Sequence, residues 1–325
     1  MKPESCIITG GSGFIGTHLI YHLLATKRFN KLYVLDLKAP QVVSPDVTYV
    51  QCDIRQPIAV DIAEQCDTCY HLAALCKEPG YEWDEYFETN YSGTVNVCDY
   101  AEKIGIKNII FTSTMMVFQA GEKRNDEEAL TAPDTAYGMS KLLAELALKQ
   151  WATRLPERRL RIVRPGVVFG RGEGANYTRL YYALKKRRFA YIGRKNTVKG
   201  SIYVKDLVRF LDLLTDDPYD RSIYNLVYPE PTTIEDICRA MVGVFGFSRM
   251  IPVIPFRLAL LGGYLFEILQ LVGIKTSIHH RRIEKLYYST DLSANRAPET
   301  GFSIVYPLRE ALRDWQKDCL PDDIY

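Results

Sequence analysis

Tyr137 and Lys141 stand four residues apart in the run Tyr137-Gly138-Met139-Ser140-Lys141. On a helix, positions i and i+4 share a face, so the phenol and the ammonium project together. An ammonium beside a phenol favours the phenolate and is expected to bring its pKa toward working pH. Such a tyrosine can pass a proton to or from a carbinol oxygen while a nicotinamide takes or gives the hydride. Thr114 closes a preceding apolar run and would set its hydroxyl on the same oxygen. The Tyr-x-x-x-Lys spacing recurs by chance on many helices. Its weight here comes from its position after a strand that ends in hydroxyl residues, and from a second signature near the start of the chain.

That second signature is Thr9-Gly10-Gly11-Ser12-Gly13-Phe14-Ile15-Gly16. An apolar run at 6–8 reads as a buried parallel strand, and a helical pattern begins at Phe14-Ile15 and continues through Leu19, Leu23 and Leu24. Gly10, Gly13 and Gly16 allow the unusual backbone angles of the turn and the close approach of a phosphate. The helix start then offers its N–H groups and positive dipole end to that phosphate. Asp36 ends the next strand, Lys31–Asp36, where a carboxylate reaches the adenosine ribose hydroxyls. A glycine-rich tight turn without a ligand is the plain alternative, and the strand, helix and acid around it argue against that.

Strand and helix alternate from there. Strands are expected at 48–51, 68–72, Asn108–Thr112 and 160–163, with helices over 83–103 and 136–154. This rhythm predicts an α/β fold, a doubly wound parallel sheet of Rossmann type, with a smaller, mostly helical C-terminal substrate domain. The boundaries read from the sequence are 1–170 for the dinucleotide domain with 198–228 returning to it, and 171–197 with 229–325 for the substrate domain. Asp53, just past a strand end, reads equally as a partner for the adenine amino group or as a cap.

Composition bounds the remaining possibilities. The 325 residues carry 47% hydrophobic and 25% charged side chains, as soluble globular proteins do. A net charge of +2 gives no argument for nucleic acid. No leader precedes the first strand, and the eight cysteines show no disulfide framework, so a reducing cytoplasm is expected. Cys66 and Cys69 have CxxC spacing but no second pair, and read as buried thiols rather than a metal site. His18 and His22 share a helix face without a third ligand, so no metal is expected. The basic run Lys185-Lys186-Arg187-Arg188 reads first as a solvated face, with anionic lipid or a partner as the alternative. The apolar stretch 256–274 is interrupted by Arg257, Glu267 and Gln270, which argues against a membrane span. It reads as a helix of the substrate domain, or as an interfacial helix beside the basic run.

Taken together, these pieces resemble the extended short-chain dehydrogenases/reductases of the NAD-dependent epimerase/dehydratase family. Besides the glycine turn and Asp36, the resemblance is carried by Cys52-Asp53-Ile54-Arg55, His71-Leu72-Ala73-Ala74 and Asn90-Tyr91-Ser92-Gly93-Thr94. It continues through Phe111-Thr112-Ser113-Thr114, Tyr137 with Lys141, Arg164-Pro165 before Gly170, and Tyr203-Val204-Lys205-Asp206. The resemblance implies a catalytic trio of Thr114, Tyr137 and Lys141. It implies NAD, with NADP not excluded, against Gly10, Gly13, Phe14, Ile15, Gly16, Asp36, Asp53, Ile54, Leu72, Ala73, Ala74, Asn90, Thr112, Tyr137, Lys141 and Pro165. It also implies a homodimer through the helices that carry Asn90 and Tyr137. Lys199 stands where these enzymes often hold a diphosphate-binding arginine, and Arg281 lies before Asp291 at about the spacing of another. Val167 replaces a common substrate asparagine, and Phe118-Gln119 a common tyrosine-glycine.

The activity this implies is oxidation or reduction at C4 of a nucleotide sugar, by a 4-epimerase or a 4-keto reductase, in the making of a surface glycan. Two further readings stand beside it. One is a dehydrogenase like the 3β-hydroxysteroid enzymes, acting on a hydrophobic alcohol and favoured by the apolar 256–274 segment. The other is a regulator that binds NAD(P) without turnover, which has no use for an aligned acid and base. Asp36 favours NAD, since a carboxylate there repels a 2′-phosphate, and Met115-Met116 stand where dehydratases carry acidic residues.

Overall fold

The computed structural model of the chain describes residues 5–62, 64–78, 80–217, 223–248, 250–271 and 280–319, the side chains of 265–271, 281, 282 and 285 apart. Among the described residues one sheet dominates. Its seven strands are β1 (Ser5–Thr9), β2 (Lys31–Asp36), β3 (Val47–Gln51), β4 (Cys66–His71), β5 (Asn108–Thr112), β6 (Arg159–Pro165) and β7 (Ile223–Leu226). All pairings are parallel, in the order β7-β6-β5-β4-β1-β2-β3. The expected doubly wound Rossmann sheet is therefore the fold.

Parallel sheets are covered on both faces, so their inner strands have no polar side to show. Every residue of β1 and of β5 is buried. On one face α1 (Phe14–Thr26) and α5 (Val204–Leu213) close over the sheet, with Leu19, Ile20 and Leu23 of the first meeting Leu207, Val208 and Leu211 of the second in one core. On the other face lie α2 (Gly93–Ile104) and α3 (Ala136–Thr153), which bury Val97, Ala101, Ala144, Leu148 and Trp151. α4 (Asn176–Lys185), α6 (Ile234–Phe245), α7 (Phe256–Leu271), α8 (His280–Tyr287) and α9 (Leu308–Cys319) follow.

The strand order reverses between β1 and β4. In such folds ligands bind in the crevice beyond the carboxyl ends of the strands at this switch point. The glycine turn leaves β1 there, Leu72-Ala73 leave β4 there, and Thr114 lies just past the neighbouring β5.

Local structure departs from the sequence reading in two places. The helix expected over 83–103 is broken into Trp83–Tyr86, a π-helical turn Phe87–Ser92, and α2. Such wide turns accommodate one extra residue in the helical path. A strand at Gly121–Asn125, unpredicted from its polar sequence, pairs with Thr290–Leu292. Two more short parallel pairs, Val167–Phe169 with Ser201–Tyr203 and Tyr191–Ile192 with Val253–Ile254, tie the later chain to the earlier.

Candidate active site

The glycine turn is held from both sides. Gly10 has φ +74, and a Cβ there would lie 2.5 Å from the Ala73 nitrogen, so the backbones of β1 and β4 approach as only glycine allows. Gly13 caps α1 with no side-chain bond to the first-turn N–H groups, and Gly16 is buried in the same turn. Asp36 stands at the end of β2. Its carboxylate accepts the N–H of Ser12 at 2.9 Å and the N–H of Lys38 at 2.9 Å, which aims it at the turn. A hollow of about 340 Å³ opens beside it, lined by Asp36, Lys38, Pro40, Tyr49 and Gln51 among others. At the end of β5 the buried Thr112 hydroxyl has no hydrogen-bond partner among the described residues. An uncapped helix start, a turn with no room for side chains, a carboxylate beside a hollow and an orphaned hydroxyl fit a dinucleotide laid across these strand ends.

Beneath the turn runs a buried chain of polar groups. His71 Nδ1 lies 2.7 Å from the Thr9 hydroxyl and His71 Nε2 lies 2.9 Å from the Thr94 hydroxyl. Thr94 donates to the Asn90 carbonyl at 2.6 Å, so its oxygen accepts from Nε2–H and the Thr9 hydroxyl donates to Nδ1. Burial, and then the charge of Lys141, push the His71 imidazole down to about 3. It is neutral at any ordinary pH. Asn90, 1% exposed on the π-helical turn, accepts the Leu75 N–H at 2.8 Å and donates to the Leu75 carbonyl at 3.1 Å. A third bond, from Asn90 to Ser140 at 3.0 Å, joins the loop after β4 to α3. Ala73 and Ala74 run through that loop, between Thr9 and Asn90.

α3 brings Tyr137, Lys141 and Glu145 onto one face. Thr135 caps it by accepting the Gly138 N–H at 3.1 Å. A Cβ on Gly138 would sit 2.2 Å from the Met116 carbonyl oxygen, so the first turn of α3 presses against the short turn Met115–Val117 that follows Thr114. That contact sets Thr114, whose hydroxyl accepts the Met116 N–H at 3.2 Å, close enough to Tyr137 to draw the phenol's pKa down.

The electrostatics correct one expectation. Burial raises the Tyr137 phenol well above its ordinary value, the Cys76 thiol adds to the rise, and the Thr114 bond only partly opposes it. The net shift is upward, with Lys141 one helical turn further along α3. Lys141, 1% exposed, lies 3.9 Å from the centre of the Phe111 ring, and burial holds it down to about 7 against the pull of Glu145. Desolvation outweighs the proximity inferred from spacing. Glu145 in turn is forked by Arg164, with Nε to Oε1 at 2.9 Å and Nη2 to Oε2 at 2.6 Å, and accepts the Ser113 hydroxyl at 2.5 Å. Arg164 is thus held inside the protein, next to Pro165 at the carboxyl end of β6. Sequence reasoning gave Glu145, Ser113 and His71 no function. Glu145 and His71 were marked only as polar residues inside otherwise apolar runs, and Ser113 only as one of three consecutive hydroxyl residues.

The remaining predicted residues are more scattered. The Asp53 carboxylate is taken up by Arg55, 2.6 Å away, and by the Arg55 N–H at 3.0 Å, which makes it a turn cap; the same contacts hold it below its ordinary pKa. Ile54 packs against Gly93 at the start of α2. Leu72 packs partly buried on the core that holds α1. Lys199 donates to the Tyr288 carbonyl at 2.6 Å, and burial lowers its ammonium to about 8, helped by Arg194. Arg281 falls on α8, and its side chain lies outside the described residues. His18 and His22 part company: His18 Nε2 lies 2.9 Å from the Arg171 carbonyl and His22 Nε2 lies 2.9 Å from Asp212. Cys66 and Cys69 are free and buried in β4. No group of three metal-ligating side chains was found among the described residues.

Comparison with known proteins places this geometry among relatives. Residues 6–226 match the family described as "NAD dependent epimerase/dehydratase family". The N-acetyl-alpha-D-glucosaminyl-diphospho-ditrans,octacis-undecaprenol 4-epimerase of Escherichia coli O157:H7 is 30% identical over 315 residues, 95% of this chain and 93% of that protein. A sterol-4-alpha-carboxylate 3-dehydrogenase (decarboxylating) of Candida albicans is 24% identical over 81% of this chain and 82% of its own. Among solved structures, UDP-glucuronic acid 4-epimerase from Bacillus cereus, in complex with UDP-glucuronic acid and NAD, superposes with a TM-score of 0.74 at 18% identity. It covers 97% of this chain and 99% of its own, a likeness of fold.

Proposed function

The chain belongs to the NAD-dependent epimerase/dehydratase family, and from that premise we propose that it is an NAD-dependent 4-epimerase of a sugar carried on a diphosphate. The observation that carries this reading is Tyr137 close to Thr114 with Lys141 one helical turn on, beside a turn that fits a dinucleotide, in a chain 30% identical to a 4-epimerase over 93% of that protein's length.

Gly10, Gly13, Phe14, Ile15, Asp36 and Thr112 would hold NAD, which supplies a hydride acceptor that returns the hydride to C4. Tyr137 stands to take the proton of the sugar 4-hydroxyl as the C4–H bond breaks, and to give it back when the hydride returns to the other face. The Thr114 hydroxyl, beside Tyr137, stands to hold the same sugar oxygen in line. A phenol raised by burial needs help to act as a base, and we assign that help to the Lys141 ammonium one turn along α3. Burial lowers the Lys141 pKa, and the Glu145 charge opposes that lowering and favours the ammonium. A 4-keto reductase would use the same three side chains, and the name of the 30% relative favours epimerisation over it.

The test is a mixture assay. Purified protein is denatured and the released dinucleotide identified by mass spectrometry. Intact protein is then given UDP-N-acetylglucosamine or a prenyl-diphosphate N-acetylglucosamine, and the C4 epimers are followed by NMR. Interconversion with no net change in NADH absorbance supports the reading. Stoichiometric consumption of NADH with a 4-keto sugar would replace it with a reductase.

A further inference from the structure

Exposed apolar side chains are unevenly distributed. Among the described residues, eight of the nineteen large ones fall between positions 250 and 288. They include Met250, 89% exposed, Leu258, 60%, and Leu261, 67%. Solitary exposed apolar residues are ordinary, but a concentration of them marks a contact surface.

Packing explains why they face outward. α7 and α8 lie against one another: a Cβ on Gly263 would meet the Ile283 side chain at 2.7 Å, and Ile283 is buried. Phe256 stacks on Tyr287 with ring centres 4.1 Å apart, which pins the start of α7 to the end of α8. With Gly263 and Phe256 turned inward, Leu258 and Leu261 are left on the opposite side of α7, with the exposed Arg257 beside them. The helix is apolar on its outer as well as its inner side, unlike a surface helix that turns a polar face to water.

A cationic border adjoins this face. Lys185, Lys186, Arg187 and Arg188 are all exposed at the end of α4, and three residues later the chain enters Tyr191–Ile192. That strand pairs in parallel with Val253–Ile254, so Arg188 and Met250 enter the pair from the same end. Apolar side chains flanked by lysine and arginine are the composition of a surface that rests in a bilayer interface and neutralises anionic headgroups. No described helix is long and apolar enough to cross a membrane. The same segment also leads to the candidate substrate site, since the carbonyl of Tyr288, immediately after α8, accepts from Lys199.

We infer that this face seats the protein on an anionic lipid bilayer, and that the diphosphate-bound sugar is carried on a lipid held there. The second half rests on the epimerase reading; the first does not. The nucleotide end of a UDP-sugar has no need of an apolar surface, whereas a lipid carrier must be met where it resides.

Flotation of the full chain with phosphatidylethanolamine–phosphatidylglycerol vesicles, and with phosphatidylcholine vesicles as the neutral control, tests the first half. Wild-type protein is expected to float with the anionic vesicles and to be released by salt, each near-surface cation contributing about five-fold to partitioning. Leu258→Glu with Leu261→Glu should lower binding at least ten-fold while melting temperature and retained NAD stay unchanged. Wild-type protein that stays in solution, or a double variant that floats as well as wild type, overturns the docking face. A double variant that changes a dimer into a monomer, with no flotation of either protein, overturns it in favour of a second copy of the chain. Preference for a prenyl-diphosphate sugar over its UDP counterpart supports the second half, and the reverse preference overturns it. Flotation without turnover of any diphosphate sugar removes the epimerase reading and leaves the docking face standing.

Discussion

Replacing Glu145 with Gln keeps the shape of the side chain and removes its charge. In the native protein the carboxylate takes two bonds from Arg164 and one from Ser113, and the Glu145 and Arg164 side chains are 0% and 2% exposed. A glutamine can still accept from Ser113. Its amide nitrogen, however, must face one N–H of the guanidinium, and Arg164 is left as a buried cation without a counter-charge. Breaking one side of a buried pair costs about 3–5 kcal/mol. For a chain of this size that corresponds to a fall in melting temperature of roughly 6–10 °C, taking about 2 °C per kcal/mol. Lys141 also loses the neighbour that raises it, so its pKa drops below about 7 and the loss of activity with rising pH begins earlier. Differential scanning fluorimetry and urea unfolding give the first quantity, and a pH–rate profile the second. The paired variant Glu145→Leu with Arg164→Met should recover most of the stability, because matched apolar groups replace buried ion pairs at little cost. A melting temperature within about 2 °C of wild type for Glu145→Gln, or a paired variant no better than the single one, would refute the reasoning.

Other measurements bear on the same site. Tyr137→Phe should lower the rate of C4 interconversion by about 10²–10⁴-fold, the usual share of a positioned acid–base group, while retained dinucleotide is unchanged; a variant that keeps a tenth of wild-type rate excludes Tyr137 from proton transfer. His71 should remain neutral, with its proton on Nε2, in nitrogen-15 NMR spectra at pH 5. A doubly protonated ring there would contradict the buried Thr9–His71–Thr94 chain. The sign of its effect on stability follows: the unfolded chain binds this proton below pH 6.5, the folded chain only near 3, so stability is full above 6.5 and declines as pH falls between those values. Gly138→Ala should separate Thr114 from Tyr137, because its Cβ would meet the Met116 carbonyl at 2.2 Å; a fall in turnover larger than the fall in substrate affinity is the expected signature, and unaltered kinetics would show that the turn yields.

The parts of this architecture that were legible in the sequence are the ones written over short distances. Apolar runs of β1 and β5, the glycine turn and the Tyr137–Lys141 interval all depend on neighbours within a few residues, so periodicity and spacing reveal them. Buried polar partnerships are not written that way. His71 bonds Thr9 and Thr94, 62 and 23 residues distant, and Arg164 bonds Glu145 across 19 residues. Their partners are known only once the strands are ordered. The phenol of Tyr137 illustrates the same limit in energy: spacing announced a nearby cation, whereas the surroundings that strip water from both groups arise from α3 lying against the Met115–Val117 turn. Asp53 reads two ways for a local reason, since one carboxylate can serve a turn or a ligand, and the structure shows Arg55, two residues on, bound to it.

The wide turn at Phe87–Ser92 is also a tolerance limit for the length of the chain. Deleting one residue from it would let an ordinary helix run straight through, and each residue removed from a helical path turns everything upstream by about 100°. Asn90 would swing off the Leu75 backbone, and Tyr86, whose ring centre lies 6.2 Å from that of Tyr137, would be carried away from it. Changes of residue count among homologous chains should therefore collect in the loops on either side of this turn and be scarce within it, even though its sequence, Phe-Glu-Thr-Asn-Tyr-Ser, looks unremarkable.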